Sequence, residues 1–286
     1  MTLGQALRQS TETLTSHNIS EAQLEAEVLL MHVAGLSRAQ LYSRLERELP
    51  PDQAQGFADL IVRRIQGEPT AYITGHKEFY GHDFEVDPRV LIPRPETELL
   101  VEKALEFAKG YTLPPRGISL TMADIGTGCG AIAISLALEL PQAKIYATDL
   151  SSDALEVARS NCGKHGVEHR IQLLWGDMLH PLPEPVHLMV ANLPYVKDAE
   201  IAHLSQEITG FEPAMALAGG ADGLDRIRQL LAEARRKLRP RGVLLVEIDP
   251  RQSQAAIVLV QSCFSTSEAR VAKDLGGLDR VVIVAT

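Results

Sequence analysis

The sequence predicts an α/β chain: a seven-stranded, parallel-dominated, doubly wound sheet with a small helical bundle ahead of it. Three observations carry that reading. From residue 118 onward, short apolar runs alternate with helical patterns, as crossovers between parallel strands require. Residues 1–70 show only the periodicity of amphipathic helices. The run Leu188-Met189-Val190-Ala191 lacks polar alternation, as does a strand buried on both faces.

In the bundle, Leu3, Ala6 and Leu7 share one face of a first helix. Ser20 is placed to cap a second, with Leu24, Val28, Leu29 and Val33 as its apolar stripe. Ser37 can cap a short third helix through Leu41 and Leu45, and Pro51-Asp52 opens a fourth bearing Phe57, Leu60, Ile61 and Ile65. Gly67-Glu-Pro-Thr ends the pattern. Tyr72-Ile73 and then Phe79 to Val86, aromatics around a central Gly81, read as a hairpin linker over residues 71–92. Leu91 to Glu98 leads into a helix to about Lys109, with Pro95 at its first position and two prolines holding Arg94 extended.

Tyr111 to Gly117 reads as a loop. Strands are expected at Ile118–Ile125, Lys144–Asp149, Ile171–Asp177, His187–Ala191, Val243–Ile248, Glu268–Lys273 and Arg280–Ala285. Helices fall at Ala131–Leu140, from Ser152 to His165, from Leu224 to Leu238 and up to Phe264, and Val196 to Gly223 is irregular. The last two strands lack room for a helix between them, so they should close as an antiparallel hairpin. The expected domains are 1–70, the linker, and a catalytic domain over 93–286.

The chain has 286 residues and a formal charge of −9, which argues against a broad nucleic-acid surface built on phosphate neutralisation. The bundle is itself mildly acidic, with six arginines and no lysine against nine carboxylates. Three widely spaced cysteines do not suggest a disulfide framework, so a reducing, cytoplasmic setting is expected. No apolar run reaches the roughly 18 residues of a membrane span, and the N-terminus has no signal-peptide core.

Chemistry concentrates at strand ends. Asn192-Leu193-Pro194-Tyr195 follows a buried strand that Pro194 must stop. The Asn192 side-chain oxygen and a Leu193 carbonyl without a ladder partner form an acceptor pair suited to both hydrogens of a planar NH2 group. Tyr195 offers a flat ring for that group to lie against. Gly126-Thr127-Gly128-Cys129-Gly130 follows the first sheet strand and opens a helix, where glycines let a ligand approach the backbone. Its spacing is Gly-x-Gly-x-Gly, not the dinucleotide Gly-x-Gly-x-x-Gly. Asp149, 19 residues after Gly130, ends the next strand and can accept from ribose hydroxyls. Asp177 and Met178 end the third, placed to accept from an adenine amino group and to pack on its ring. The combination looks like an S-adenosylmethionine site. His165 and His169 flank Gly166 without a third ligand, so no metal is expected. Trp175 reads as a core residue, Glu247 as a cap or solvated strand end, and Glu212-Pro213 as a wall of the substrate channel.

Five motifs occur in a fixed order: Pro93 to Glu98, Asp124 to Gly130, Asn192 to Tyr195, Phe211 to Leu224, and Lys273 to Arg280. With them the chain resembles the release-factor glutamine methyltransferases, the PrmC/HemK family, over nearly its whole length. The resemblance implies a class I methyltransferase (Rossmann-like) sheet with an N-terminal helical bundle joined by a β-hairpin. It implies S-adenosyl-L-methionine as cofactor, a helical domain that docks release factors, and a monomer. The implied reaction is methylation of N5 of the glutamine in the factor's Gly-Gly-Gln motif. The family usually has Asn-Pro-Pro-Tyr; here Leu193 replaces the first proline, keeping the carbonyl but losing the fixed φ. Asn-Leu-Pro-Tyr also resembles ribosomal-RNA adenine dimethyltransferases, so the competing expectation is an adenine-N6 methyltransferase acting on a flipped base of RNA or DNA. A non-enzymatic nucleotide-binding protein is the third reading.

Overall fold

Strands buried on both faces dictate the architecture. In the computed structural model, which describes residues 1–111, 120–264 and 268–286, β3 (Thr121–Ile125) and β6 (Val186–Ala191) are buried at every position. They lie side by side and parallel at the centre of a sheet. Among the described residues that sheet has seven strands in the order β5-β4-β3-β6-β7-β9-β8, where β4 is Lys144–Asp149, β5 Ile171–Trp175, β7 Leu238–Glu247, β8 Glu268–Lys273 and β9 Asp279–Ala285. β9 pairs antiparallel with both β7 and β8, as the short connection requires. The order reverses direction between β3 and β6, the place where open α/β sheets form a ligand crevice.

The chain divides into two compact units. Residues 1–76 with 205–211 form the first. Its helices are α1 (Leu3–Ser16), α2 (Ala22–Ala34), α3 (Arg38–Tyr42), α4 (Pro51–Ile65) and α5 (Thr70–Thr74). Thr2 and Ser37 make reciprocal capping boxes with Gln5 and Gln40. Three expectations need correction here. Glu21, in a left-handed conformation, precedes α2 in place of a Ser20 cap, and Leu24 is exposed while Ala22, Ala26, Leu29 and Leu30 pack inward. The register of α2 turns because Glu27 takes a core position, held there by Tyr42, Gln23 and Arg38. Tyr72-Ile73 lie in α5, not in the hairpin.

The second unit comprises residues 77–204 and 212–286. β1 (His76–Phe79) and β2 (His82–Glu85) form the hairpin, turning through Tyr80 and Gly81, both at positive φ. A 3₁₀ turn at Pro95–Thr97 leads into α6 (Glu98–Gly110). The expected loop after Tyr111 and the expected strand start at Ile118 lie outside the described residues. The sheet helices are α7 (Ala131–Glu139), α8 (Ser152–His165), α11 (Asp225–Lys237) and α12 (Ser253–Cys263). The irregular stretch after β6 contains the short helix α9 (Asp198–Ile201), and the next short helix, α10 (Gln206–Phe211), belongs to the first unit. β7 starts at Leu238, through Pro240, earlier than the apolar run indicates. Among the described residues no helix is long and apolar enough to cross a membrane.

One fully buried side chain ties the hairpin to the sheet. Asn161 on α8 accepts from the Glu85 amide at 2.8 Å and donates to the Glu85 and Cys129 carbonyls, each at 2.9 Å. Removing a buried amide strands all three backbone partners. Asn161→Ala is therefore expected to cost about 2–4 kcal/mol in chemical unfolding; a loss under about 0.5 kcal/mol would show that water replaces these bonds without penalty.

Candidate active site

Parallel register gathers the motifs at one edge of the sheet. Ile125 pairs with both Thr148 and Ala191, and Asp149 pairs with Trp175. The residues that follow these strands, Gly126, Leu150, Gly176 and Asn192, therefore leave the sheet together. They line one cleft, the kind of concave site in which open α/β sheets hold ligands.

The glycine loop forms the floor. Gly126, Gly128 and Gly130 all have positive φ. A Cβ at Gly130 would come within 3.0 Å of Ile134, whereas at Gly128 it would meet nothing within 4 Å and would project into open space. Asp124, fully buried behind the loop, accepts from the Thr127 hydroxyl at 2.6 Å and the Ala133 amide at 3.2 Å, while its Oδ1 has no partner among the described residues. Burial pushes its carboxyl up to about 7. Cys129 is buried, and burial pushes its thiol up to about 12, so it has no thiolate character.

Asp149 lines the cleft with one oxygen on the Gly128 amide (2.8 Å) and the other on the Ser151 amide (2.9 Å). Each oxygen keeps a lone pair for a ligand hydroxyl. Burial raises this carboxyl above the ordinary range, and the backbone amides pull against that shift. Asp177 also lines the cleft, its Oδ2 held at 2.6 Å by Gln229. Met178 is buried against the same wall at positive φ, with its carbonyl held by Thr148 at 3.1 Å. These donors, acceptors and glycines fit a nucleoside-bearing cofactor with a ribose diol.

Asn192, Leu193 and Pro194 line the other side of the cleft. β6 has ended at Ala191, and among the described residues no backbone amide donates to the Leu193 carbonyl. The Asn192 Nδ2 donates to the Thr97 hydroxyl at 3.0 Å, and Oδ1 is available as an acceptor. Tyr195, expected as a flat wall, is not among the cleft-lining residues; its hydroxyl donates to Glu247 Oε1 at 3.3 Å. That contact and burial raise the phenol above its ordinary value.

The loop after the motif is clamped by tight glycine packing. The Val196 amide donates to the Leu217 carbonyl and the Gly219 amide to the Val196 carbonyl, and Gln252 Nε2 donates to the Tyr195 carbonyl at 2.9 Å. A Cβ on Gly219 would lie 2.8 Å from both the Pro194 oxygen and the Tyr195 Cα. Glu212, almost wholly buried, pairs with Arg94 and accepts from the Ile92 amide at 3.4 Å, so it braces the entry segment while Pro213 lines the cleft beside it.

Two expectations change. Trp175 is 70% exposed, not core; its indole donates to the Leu150 carbonyl at 3.0 Å, and Leu150 lines the cleft. Glu247 is buried, not solvated. Thr97 lies within the Pro93 to Glu98 motif, but its pairing with Asn192 had no signal in the sequence, since the two are 95 positions apart.

Comparison with known proteins identifies the family. A model of the PrmC N-terminal domain matches residues 5–75, and one of the methyltransferase small domain matches residues 110–210. The release factor glutamine methyltransferase of Moorella thermoacetica is 45% identical, covering 98% of this chain and 97% of its own. That of Koribacter versatilis is 38% identical over 99% and 98%. Among solved structures, a methyltransferase from Pyrococcus furiosus shares the fold at 18% identity and a TM-score of 0.51, covering 80% of this chain and 98% of its own. The chain belongs to the release factor glutamine methyltransferase family.

Proposed function

We propose that this chain transfers a methyl group from S-adenosyl-L-methionine to the side-chain amide nitrogen, N5, of the glutamine in the Gly-Gly-Gln motif of peptide chain release factors. The observation that carries the reading is the anchoring of Asn192: it lines the cleft with its nitrogen donating to Thr97, so its oxygen is available to accept. A carboxamide nitrogen is a poor nucleophile because its lone pair is delocalised into the carbonyl. Accepting both of its hydrogens, on Asn192 Oδ1 and the Leu193 carbonyl, aims that lone pair and stabilises the positive charge that develops on nitrogen.

When bound, S-adenosyl-L-methionine supplies an electrophilic sulfonium methyl. The chain's own part is to hold and shield. Asp149 would take the ribose hydroxyls, Asp177 the adenine amino group, and Met178 would pack on the ring. Gly126, Thr127, Gly128, Cys129 and Gly130 supply a backbone that a ligand can approach closely. Pro194 stops the strand so that the Leu193 carbonyl stays unpaired. No general base is required before transfer, since the extra proton can leave to water afterwards. The N-terminal helical unit would dock the release factor, in the cytoplasm and during translation termination.

Two substitutions separate the roles. Asn192→Ala should lower methyl transfer about 100-fold or more, with the affinity for S-adenosylhomocysteine changed by no more than about twofold. Asp149→Ala should weaken that affinity about 10- to 100-fold through loss of charged acceptors, read from the fluorescence of Trp175, the single tryptophan, which is hydrogen-bonded to the cleft-lining Leu150. The reading as a whole is tested with labelled S-adenosylmethionine offered a release factor or RNA. Label should enter the factor and vanish when its Gly-Gly-Gln glutamine is replaced by alanine. Label in RNA but not in the factor would overturn the proposal.

A further inference from the structure

An asparagine side chain has an acceptor end and a donor end of nearly the same shape. Nothing in Asn192 itself decides which end faces the cleft. A half-turn of the amide would exchange an acceptor for a donor at the point where the substrate's reacting group arrives.

The surroundings decide it. In the parallel register Ala191 pairs with Val246, so Asn192 and Glu247 leave adjacent strands as neighbours. Thr97, on the 3₁₀ turn before α6, lies between them. Its hydroxyl accepts from Asn192 Nδ2 at 3.0 Å, and its interaction with the Glu247 carboxyl favours the ionised form of that carboxyl. A hydroxyl has one proton to give, whereas an ionised carboxylate can only accept. Above about pH 7, where Glu247 is ionised, the Thr97 proton is drawn to the carboxylate and the hydroxyl's lone pairs receive the Asn192 NH2. The same carboxylate accepts from the Tyr195 hydroxyl at 3.3 Å, so it anchors the far end of the Asn192–Tyr195 turn as well. Its Oε2 is buried with no partner among the described residues. A buried carboxylate so placed is costly, and an apolar residue would fill the same space more cheaply.

We propose that Glu247, acting through Thr97, is a positioning group that fixes the Asn192 amide oxygen toward the cleft and thereby selects a carboxamide over a carboxylate at the reacting position. Glutamine and glutamate side chains are almost the same size, so shape alone separates them poorly. Two inward acceptors bind an NH2 group and face a carboxylate with lone pair against lone pair. Were Asn192 to turn, its NH2 would welcome a carboxylate oxygen and the glutamine would lose one of its two acceptors. This inference rests on the reading that the cleft receives a glutamine side chain.

The test uses the full chain with a release factor as substrate and the same factor bearing glutamate in place of the motif glutamine as competing inhibitor. Thr97→Val and Glu247→Gln should each lower kcat about tenfold, the scale on which orienting partners matter. They should also shrink the ratio of glutamate-factor KI to glutamine-factor KM by about the same factor. Thr97→Ser should restore both to within about threefold of wild type. Affinity for S-adenosylhomocysteine, read from Trp175 fluorescence, should stay within about twofold. A drop in kcat with an unchanged ratio, a failure of serine to rescue, or a parallel loss of S-adenosylhomocysteine affinity would overturn the proposal. If wild type itself leaves the factor unmethylated, the underlying functional reading fails instead.

Stability supplies an independent readout. Burial pushes Glu247 up to about 7 from the usual 4.5; Glu96 adds to that, while Thr97, Tyr195 and Arg280 oppose it. A carboxyl with a raised folded pKa binds its proton more tightly when folded, so its contribution to stability falls as pH rises from 4.5 to 7 and stays low above that. Glu247→Gln escapes this fall. At pH 8 it should melt no lower than wild type while transferring methyl groups more slowly. A lower melting point at pH 8 would make the carboxylate a structural support and contradict the positioning role.

Discussion

The proposed chemistry depends on one hydrogen bond, from the Asn192 amide nitrogen to the Thr97 hydroxyl. In the proposal it makes a side chain with two opposite ends act as an acceptor. The neighbouring acceptor, the Leu193 carbonyl, arises differently: β6 ends at Ala191, Pro194 cannot continue it, and the carbonyl is left without a ladder partner. One acceptor is thus held by a side-chain network and the other by the end of a strand. Leucine in place of the family's usual proline leaves that second acceptor in place. The rigidity that proline would give is supplied from outside the turn, by Gln252 on the Tyr195 carbonyl and by Gly219 packed against Pro194.

The sheet explains why so few residues are needed. Parallel register aligns the ends of β3, β4, β5 and β6, and a group one residue past each strand faces a common space. Backbone amides from the glycine loop and from the start of α8 then grip Asp149, so its carboxylate is aimed before any ligand arrives. Asp177 is held by Gln229 in the same way. Prealigned acceptors lose little side-chain entropy on binding.

The strand-end residues were legible in the sequence because they follow a local rule: a buried run, then a stop, then a polar group. Asn192, Asp149 and the glycine loop could all be placed that way, and the helix Ser152–His165 and strand Glu268–Lys273 fall where periodicity puts them. What could not be read were partners brought together by the crossovers. Thr97 is an ordinary residue in a helix entry until β6 lies beside it. Glu247 looks like any charged strand end until α6 and Tyr195 cover it. Trp175 reads as core by type, but β5 is the outer strand of the sheet and its last residue projects to solvent. In α2, the apolar stripe misleads because a glutamate with three polar partners takes a core position and turns the helix face by about one residue.

The most direct measurement is a crystal structure of the full chain with S-adenosylhomocysteine and a release factor. The account predicts the motif glutamine's amide nitrogen within about 2.7–3.2 Å of both Asn192 Oδ1 and the Leu193 oxygen, its free face turned to the sulfur. A complex in which Asn192 presents its nitrogen to the glutamine, or in which the amide sits out of reach of both oxygens, would contradict it.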